Sequence, residues 1–152
     1  MNAVEEREKT ECKEIKKRCV LFVCTGNTCR SPMAAALCRH LHPDTLADSA
    51  GLSAAIGMPI AENAVRALRA RGVFSTETND YEHHTAKPVT QELLAWADAV
   101  YALTTSHYMT LCFAFPEHAE KFYLLGEIAD PYGGTQKDYE EALRDIEQAL
   151  RT

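Results

Sequence analysis

The sequence has no apolar run approaching the roughly 18 residues that span a bilayer. The most apolar stretch near its start, Cys19–Cys24, is of strand length, so no membrane partner is expected. Glycine and proline are sparse, 7 and 6 in 152 residues, which excludes collagen-like and Pro/Gly-rich low-complexity chains. Positive charge is not in excess: 16 Lys and Arg face 22 Asp and Glu, a formal net charge of -6. Such a chain repels phosphate backbones at long range, so nucleic acid is not an expected partner. An apolar leader is also lacking. The first 18 residues carry six basic and five acidic side chains and no hydrophobic centre, so the cytoplasm is the expected compartment. There, the six cysteines (Cys12, Cys19, Cys24, Cys29, Cys38, Cys112) are expected as reduced thiols rather than a disulfide framework. What the chain does have is 46% hydrophobic and 25% charged residues, enough apolar mass for one core and one domain.

Composition divides the chain into a charged N-terminal arm, residues 1–18, and a folded domain, residues 19–152. In the arm Glu5 with Lys9 and Glu14 with Arg18 are spaced for i,i+4 pairing, and no broad apolar face is present. The domain opens on Cys19-Val-Leu-Phe-Val-Cys24, a continuous run of β-formers expected of a strand buried on both faces. Ser31-Pro32 signals a helix start, continued by the Ala-rich Met33–His42. Thr45–Ala50 is a weaker strand candidate. Ala61–Arg71 is amphipathic and stopped by Gly72; Thr90 caps a helix over Gln91–Ala97. A strand over Ala99–Leu103, a helix over Ser106–Phe115, a strand over Lys121–Leu125 and a helix over Gln136–Arg151 complete the series. Strands alternate with helices, which predicts an α/β fold of three layers: a four-stranded parallel sheet with helices on both faces.

The chemistry concentrates in Cys24-Thr25-Gly26-Asn27-Thr28-Cys29-Arg30-Ser31, between the first strand and the first helix. In open α/β sheets ligands bind at the carboxyl ends of the strands. A turn containing Gly26 and Asn27, leading into a helix N-terminus, can curl its backbone amides around a tetrahedral anion. Anion-binding surroundings favour the thiolate, so Cys24 is the expected nucleophile. Arg30 supplies a planar two-pronged donor for phosphoryl oxygens. Ser31 can donate its hydroxyl to the Cys24 sulfur. A leaving group needs a proton, and Asp130, in Asp130-Pro131-Tyr132-Gly133-Gly134, is the expected general acid; the same carboxylate can later activate water.

The run Cys24 to Pro32 resembles the signature loop of low-molecular-weight protein phosphatases, and Asp130-Pro131 resembles their general-acid loop. Ser49-Ala50-Gly51 and the helix end Arg71-Gly72-Val73 are similar as well, so the resemblance covers residues 19–152. It implies catalysis by Cys24, Arg30 and Asp130 through a phosphocysteine. It also implies phosphate or substrate contacts from Thr25, Gly26, Asn27, Thr28, Cys29, Ser31 and Tyr132, with no metal and no cofactor. Phosphorylated protein is the implied substrate and inorganic phosphate the product. Within the family Thr28 resembles the bacterial protein-arginine phosphatase type, where phosphotyrosine members commonly carry a bulky aliphatic residue. Leu52-Ser-Ala-Ala-Ile56 also lacks the aromatic wall of those members, so phosphoarginine is favoured over phosphotyrosine. Ala35 departs from a frequent Glu in the first helix. Cys29, five residues after Cys24, is either a resolving thiol for oxidised Cys24 or a packed small residue. Arsenate reduction would need relay cysteines downstream, where only Cys112 stands. A phosphoprotein-binding or redox-sensing module would not need both Arg30 and Asp130.

Overall fold

Val20, Phe22 and Cys24 alternate with Leu21 and Val23, and both sets are apolar; a strand of period two made from them must be covered on both faces. In the computed structural model, which describes residues 18–151, that strand is β1, Arg18–Cys24. It is central. β2 (Thr45–Gly51) pairs with one edge, β3 (Ala99–Ala102) with the other, and β4 (Phe122–Leu124) extends the sheet beyond β3. All three pairings are parallel and the order is β2-β1-β3-β4. Apart from Arg18, which opens β1, the charged arm lies outside the described residues.

Among the described residues, five helices connect and cover the strands: α1 (Arg30–Leu41), α2 (Glu62–Arg71), α3 (Gln91–Trp96), α4 (Thr105–Ala114) and α5 (Gln136–Arg151). One face of β1, Val20, Phe22 and Cys24, packs with Met33 and Leu37 of α1, Leu68 of α2, and Tyr139, Leu143 and Ile146 of α5. The other face, Leu21 and Val23, packs with Leu94 of α3 and Leu111 of α4. Each fully buried Leu, Ile, Met or Phe of this kind contributes about 1.5–3 kcal/mol. The result is the expected three-layer α/β architecture.

Boundaries follow local chemistry. Thr90 and Thr104 cap α3 and α4, their hydroxyls accepting from the amides of Leu93 and His107. Gly72 ends α2 at φ 92, a left-handed conformation that favours glycine. Three-residue and six-residue 3₁₀ segments, Tyr81–His83 and Pro116–Lys121, precede α3 and β4; the second shortens the expected strand to Phe122–Leu124. The first helix begins at Arg30, earlier than Ser31-Pro32 suggests, and no side chain caps it. A serine hydroxyl serves equally as a cap or as a ligand, and here Ser31 is taken by another partner.

The strand order places the site. The chain leaves β1 for α1 on one face and leaves β3 for α4 on the opposite face. Adjacent parallel strands whose connections part in this way leave a crevice beyond their carboxyl ends. Cys24 ends β1 at that crevice.

Candidate active site

Asn27 organises the loop that follows β1. It has φ 58, a left-handed conformation that asparagine tolerates better than most residues, and it is fully buried. Its Nδ2 donates to Ser31 Oγ and Ser49 Oγ, each at 2.9 Å, and its Oδ1 accepts from the Lys87 amide at 3.0 Å. Its carbonyl oxygen accepts from His84 Nε2 at 2.8 Å. Burial pushes the His84 imidazole below its ordinary range, so this ring is a neutral donor at physiological pH. Buried amide groups left unpaired would be costly; here β2, α1 and the segment before α3 satisfy them together. Gly51, opposite Cys24 in the β1–β2 register, must lack a side chain: an added Cβ would lie 2.6 Å from the Thr25 carbonyl oxygen.

The Cys24 sulfur lies inside this curl. The Asn27 amide donates to Sγ at 3.3 Å, and Ser31 Oγ is 2.9 Å from Sγ. Because Asn27 already donates to Ser31 Oγ, the Ser31 hydroxyl hydrogen is free for an acceptor. Its choices are Sγ at 2.9 Å and the Ala50 carbonyl at the longer distance of 3.5 Å. When the sulfur is ionised it therefore receives two donors.

Arg30, the first residue of α1, is 6% exposed. Its Nη1 donates to the Ile128 carbonyl at 3.0 Å, and its Nη2 lies 3.5 Å from Asp130 Oδ2. One guanidinium thus joins the loop after β1 to the loop after β4. The Asp130 carboxylate is 53% exposed, which places it at the rim over a buried cation. Asp130 Oδ1 also accepts from the Tyr132 amide at 3.1 Å, a local turn that aims the carboxylate.

A cavity of about 540 Å³ opens above the sulfur. It is lined by Cys24 through Arg30, by Ser53, Ala55 and Met58 through Glu62, and by Asp130 and Tyr132. The structure therefore brings Cys24, Thr25, Gly26, Asn27, Thr28, Cys29, Arg30, Asp130 and Tyr132 to one cavity, with Ser31 beneath it. Cys29 contributes differently from its neighbours. Its Sγ turns to the Tyr139 hydroxyl at 3.4 Å, and burial pushes its thiol up from the ordinary value. The tether to Tyr139 packs the loop against α5, so only the backbone of Cys29 is placed to meet an anion. Tyr132 is 74% exposed and is, among the described residues lining the cavity, its one aromatic ring.

Sequence reasoning left His84 without a role and passed over Lys87 and His107. His107 Nε2 is 2.9 Å from Thr25 Oγ1. Burial, then the charge of Arg30, push its imidazole down to about 4. The one available signal was its position: a His in the first turn of a helix that follows a buried parallel strand, the same strand-to-helix setting as the cysteine loop.

Comparison with known proteins agrees with this geometry. Residues 19–152 match the family model described as low molecular weight phosphotyrosine protein phosphatase. The protein-arginine-phosphatase of Geobacillus stearothermophilus is 36% identical over 140 residues, 86% of this chain and 90% of that protein. The low molecular weight protein-tyrosine-phosphatase Wzb of Salmonella typhi is 33% identical over 138 residues, 87% of this chain and 89% of that one. Among solved structures, a cysteine-to-serine mutant of the arginine phosphatase YwlE with a phosphorylated active-site serine superposes with a TM-score of 0.78. It is 32% identical and covers 88% of this chain and 91% of its own. The chain belongs to the low-molecular-weight phosphotyrosine protein phosphatase family and is a cysteine-dependent protein phosphatase.

Proposed function

We propose that this phosphatase removes the phosphoryl group from phosphoarginine in proteins. Cys24 is the nucleophile, Arg30 the phosphoryl clamp and Asp130 the general acid. The Cys24 thiolate attacks phosphorus, the P–N bond breaks, and its electron pair leaves with the guanidino nitrogen, which takes a proton from Asp130. Water then attacks the phosphocysteine, the Asp130 carboxylate accepts the water proton, and the S–P electron pair returns to sulfur as inorganic phosphate departs. Arg30 and the loop amides meet the charge that spreads over the equatorial oxygens.

The observation that carries the substrate reading is the chemistry of the cavity mouth. A guanidino group is flat, polar and rich in N–H donors, and Thr28 and the Asp130 carboxylate offer it oxygen acceptors. A phenol ring offers a flat apolar face and gains most between two aromatic walls. Here the segment 53–62 lines the cavity through Ser53, Ala55 and Met58 to Glu62, with no ring to pair with Tyr132. Arginine phosphatases among the relatives support the same reading. Phosphotyrosine is the second reading, supported by the exposed ring of Tyr132, which can cover one face of a phenol, and by the tyrosine phosphatases among the relatives.

Matched peptides carrying phosphoarginine or phosphotyrosine separate the two. The expected result is a kcat/KM at least about tenfold higher for phosphoarginine, the scale on which a few placed polar contacts discriminate. Thr28→Ile should move that ratio toward phosphotyrosine by about tenfold, since it removes a hydroxyl and adds apolar bulk. An unchanged ratio would defeat the cavity argument.

A further inference from the structure

The mechanism above uses the loop after β1 and the loop after β4, yet a third segment touches both. It is the first turn of α4, where the chain leaves β3 on the far side of the crevice. His107 crosses to the phosphate loop, bonding Thr25 Oγ1 at 2.9 Å across 82 residues of sequence. Thr105 crosses to the acid loop: its amide and its hydroxyl both donate to Glu127 Oε1. Glu127 lies three residues before Asp130, and the next residue, Ile128, is fixed on both sides. The Ile128 amide donates to the Leu103 carbonyl at 2.9 Å, and the Ile128 carbonyl receives Arg30 Nη1 at 3.0 Å. Thr104 caps the turn by accepting from the His107 amide at 3.2 Å, which fixes where the imidazole starts.

Protonation states suit this arrangement. The Thr105 bonds hold the Glu127 carboxylate below its ordinary range, so it is charged at physiological pH. His107 is 6% exposed, and its Nδ1 is buried without a partner among the described residues. A buried N–H without an acceptor costs more than a buried lone pair without a donor, so the hydrogen belongs on Nε2. Nε2–H then donates to Thr25 Oγ1. That leaves the Thr25 hydroxyl hydrogen directed by the imidazole, and Thr25 lines the cavity.

We propose that the first turn of α4 is the positioning element of the active site: His107 sets the Thr25 hydroxyl as a donor at the mouth of the phosphate loop, and Thr105 anchors Glu127 to place Asp130. His107 and Glu127 act through Thr25 and Asp130, not on the substrate. The inference rests on the roles of Cys24 and Asp130 given above.

The test uses the full chain and two aryl phosphates. Phenolate needs a proton to leave well and p-nitrophenolate does not, so the ratio of their kcat/KM values reports the general acid. Asp130→Asn is the reference and should depress phenyl phosphate selectively. Glu127→Ala should shift the ratio in the same direction by about fivefold or more, while Glu127→Gln, whose side-chain oxygen still accepts from Thr105, should stay within about twofold of the parent. For the other arm the readout is competitive inhibition by inorganic phosphate. His107→Phe and Thr25→Val should each raise the inhibition constant about fivefold without moving the aryl ratio, the double variant should be no worse than either, and His107→Gln should recover most of the loss. The acid-loop half is overturned if Asp130→Asn shifts the aryl ratio and Glu127→Ala does not. A flat ratio in Asp130→Asn itself removes the general acid, and that half falls with it. The phosphate-loop half is overturned if the Thr25 and His107 effects multiply as independent losses.

Discussion

Cys24→Ser is expected to lower turnover by roughly four orders of magnitude or more, the scale on which loss of a covalent nucleophile acts. The reasoning is local. Serine fits the space of the thiol, and its oxygen can still receive the Asn27 amide and the Ser31 hydroxyl that now meet Sγ at 3.3 and 2.9 Å. The loop and the fold should therefore survive, and phosphate should still bind. What is lost is the sulfur nucleophile; an alcohol has no base beside it to take its proton, because both neighbours are donors. The measurement is steady-state turnover together with a thermal melt. Near-parental melting with abolished turnover is the expected pair of results; turnover within tenfold of the parent would remove Cys24 from the chemistry.

Arg30→Lys should be the next most damaging change, with kcat/KM falling by about 10²–10³, the cost found when one preorganised oxyanion donor is removed. Lysine keeps the charge, so a purely electrostatic role would tolerate it. The structure indicates otherwise. Nη1 is spent on the Ile128 carbonyl at 3.0 Å and Nη2 reaches toward Asp130 at 3.5 Å, and a single ammonium cannot hold the acid loop while presenting two donors to a phosphoryl group. The Asp130 contact is too long and too exposed to stabilise the fold much by itself. The loss should therefore appear in catalysis more than in melting temperature. A kcat/KM within about threefold of the parent would show that charge alone is enough.

The sheet was legible in the sequence because both faces of β1 are apolar, which few folds other than a covered parallel sheet require. The floor of the cavity was legible because Cys24, the curl that follows it and Arg30 fall within Cys24–Ser31, so their grouping is local. Asp130 was legible from the stiff and flexible residues around it. Ser31 was read both as a helix-start residue and as a donor to the Cys24 sulfur; the structure has the second contact, and the Asn27 bond, which occupies the hydroxyl oxygen, decides for it. Cys29 left two readings open, and its direction toward Tyr139 depends on α5, which lies 110 residues away in sequence. His107 had only its position in the first turn after a buried strand to mark it, and Glu127 had no such signal. Their contacts arise because the strand order sets the end of β3 beside the end of β1.

The account depends on a phosphoryl group resting on the Cys24 sulfur between the two displacement steps. Asp130→Ala removes the carboxylate that activates water, so dephosphorylation of the intermediate should slow and the phosphoenzyme should accumulate. Mixing that variant with p-nitrophenyl phosphate, whose leaving group needs no proton from Asp130, quenching within milliseconds and mapping the adduct by mass spectrometry measures it directly. One phosphoryl group on the peptide containing Cys24, absent from the Cys24→Ala control, is the predicted result. Product formation with an unmodified Cys24, at every quench time and in the parent enzyme alike, would contradict the account.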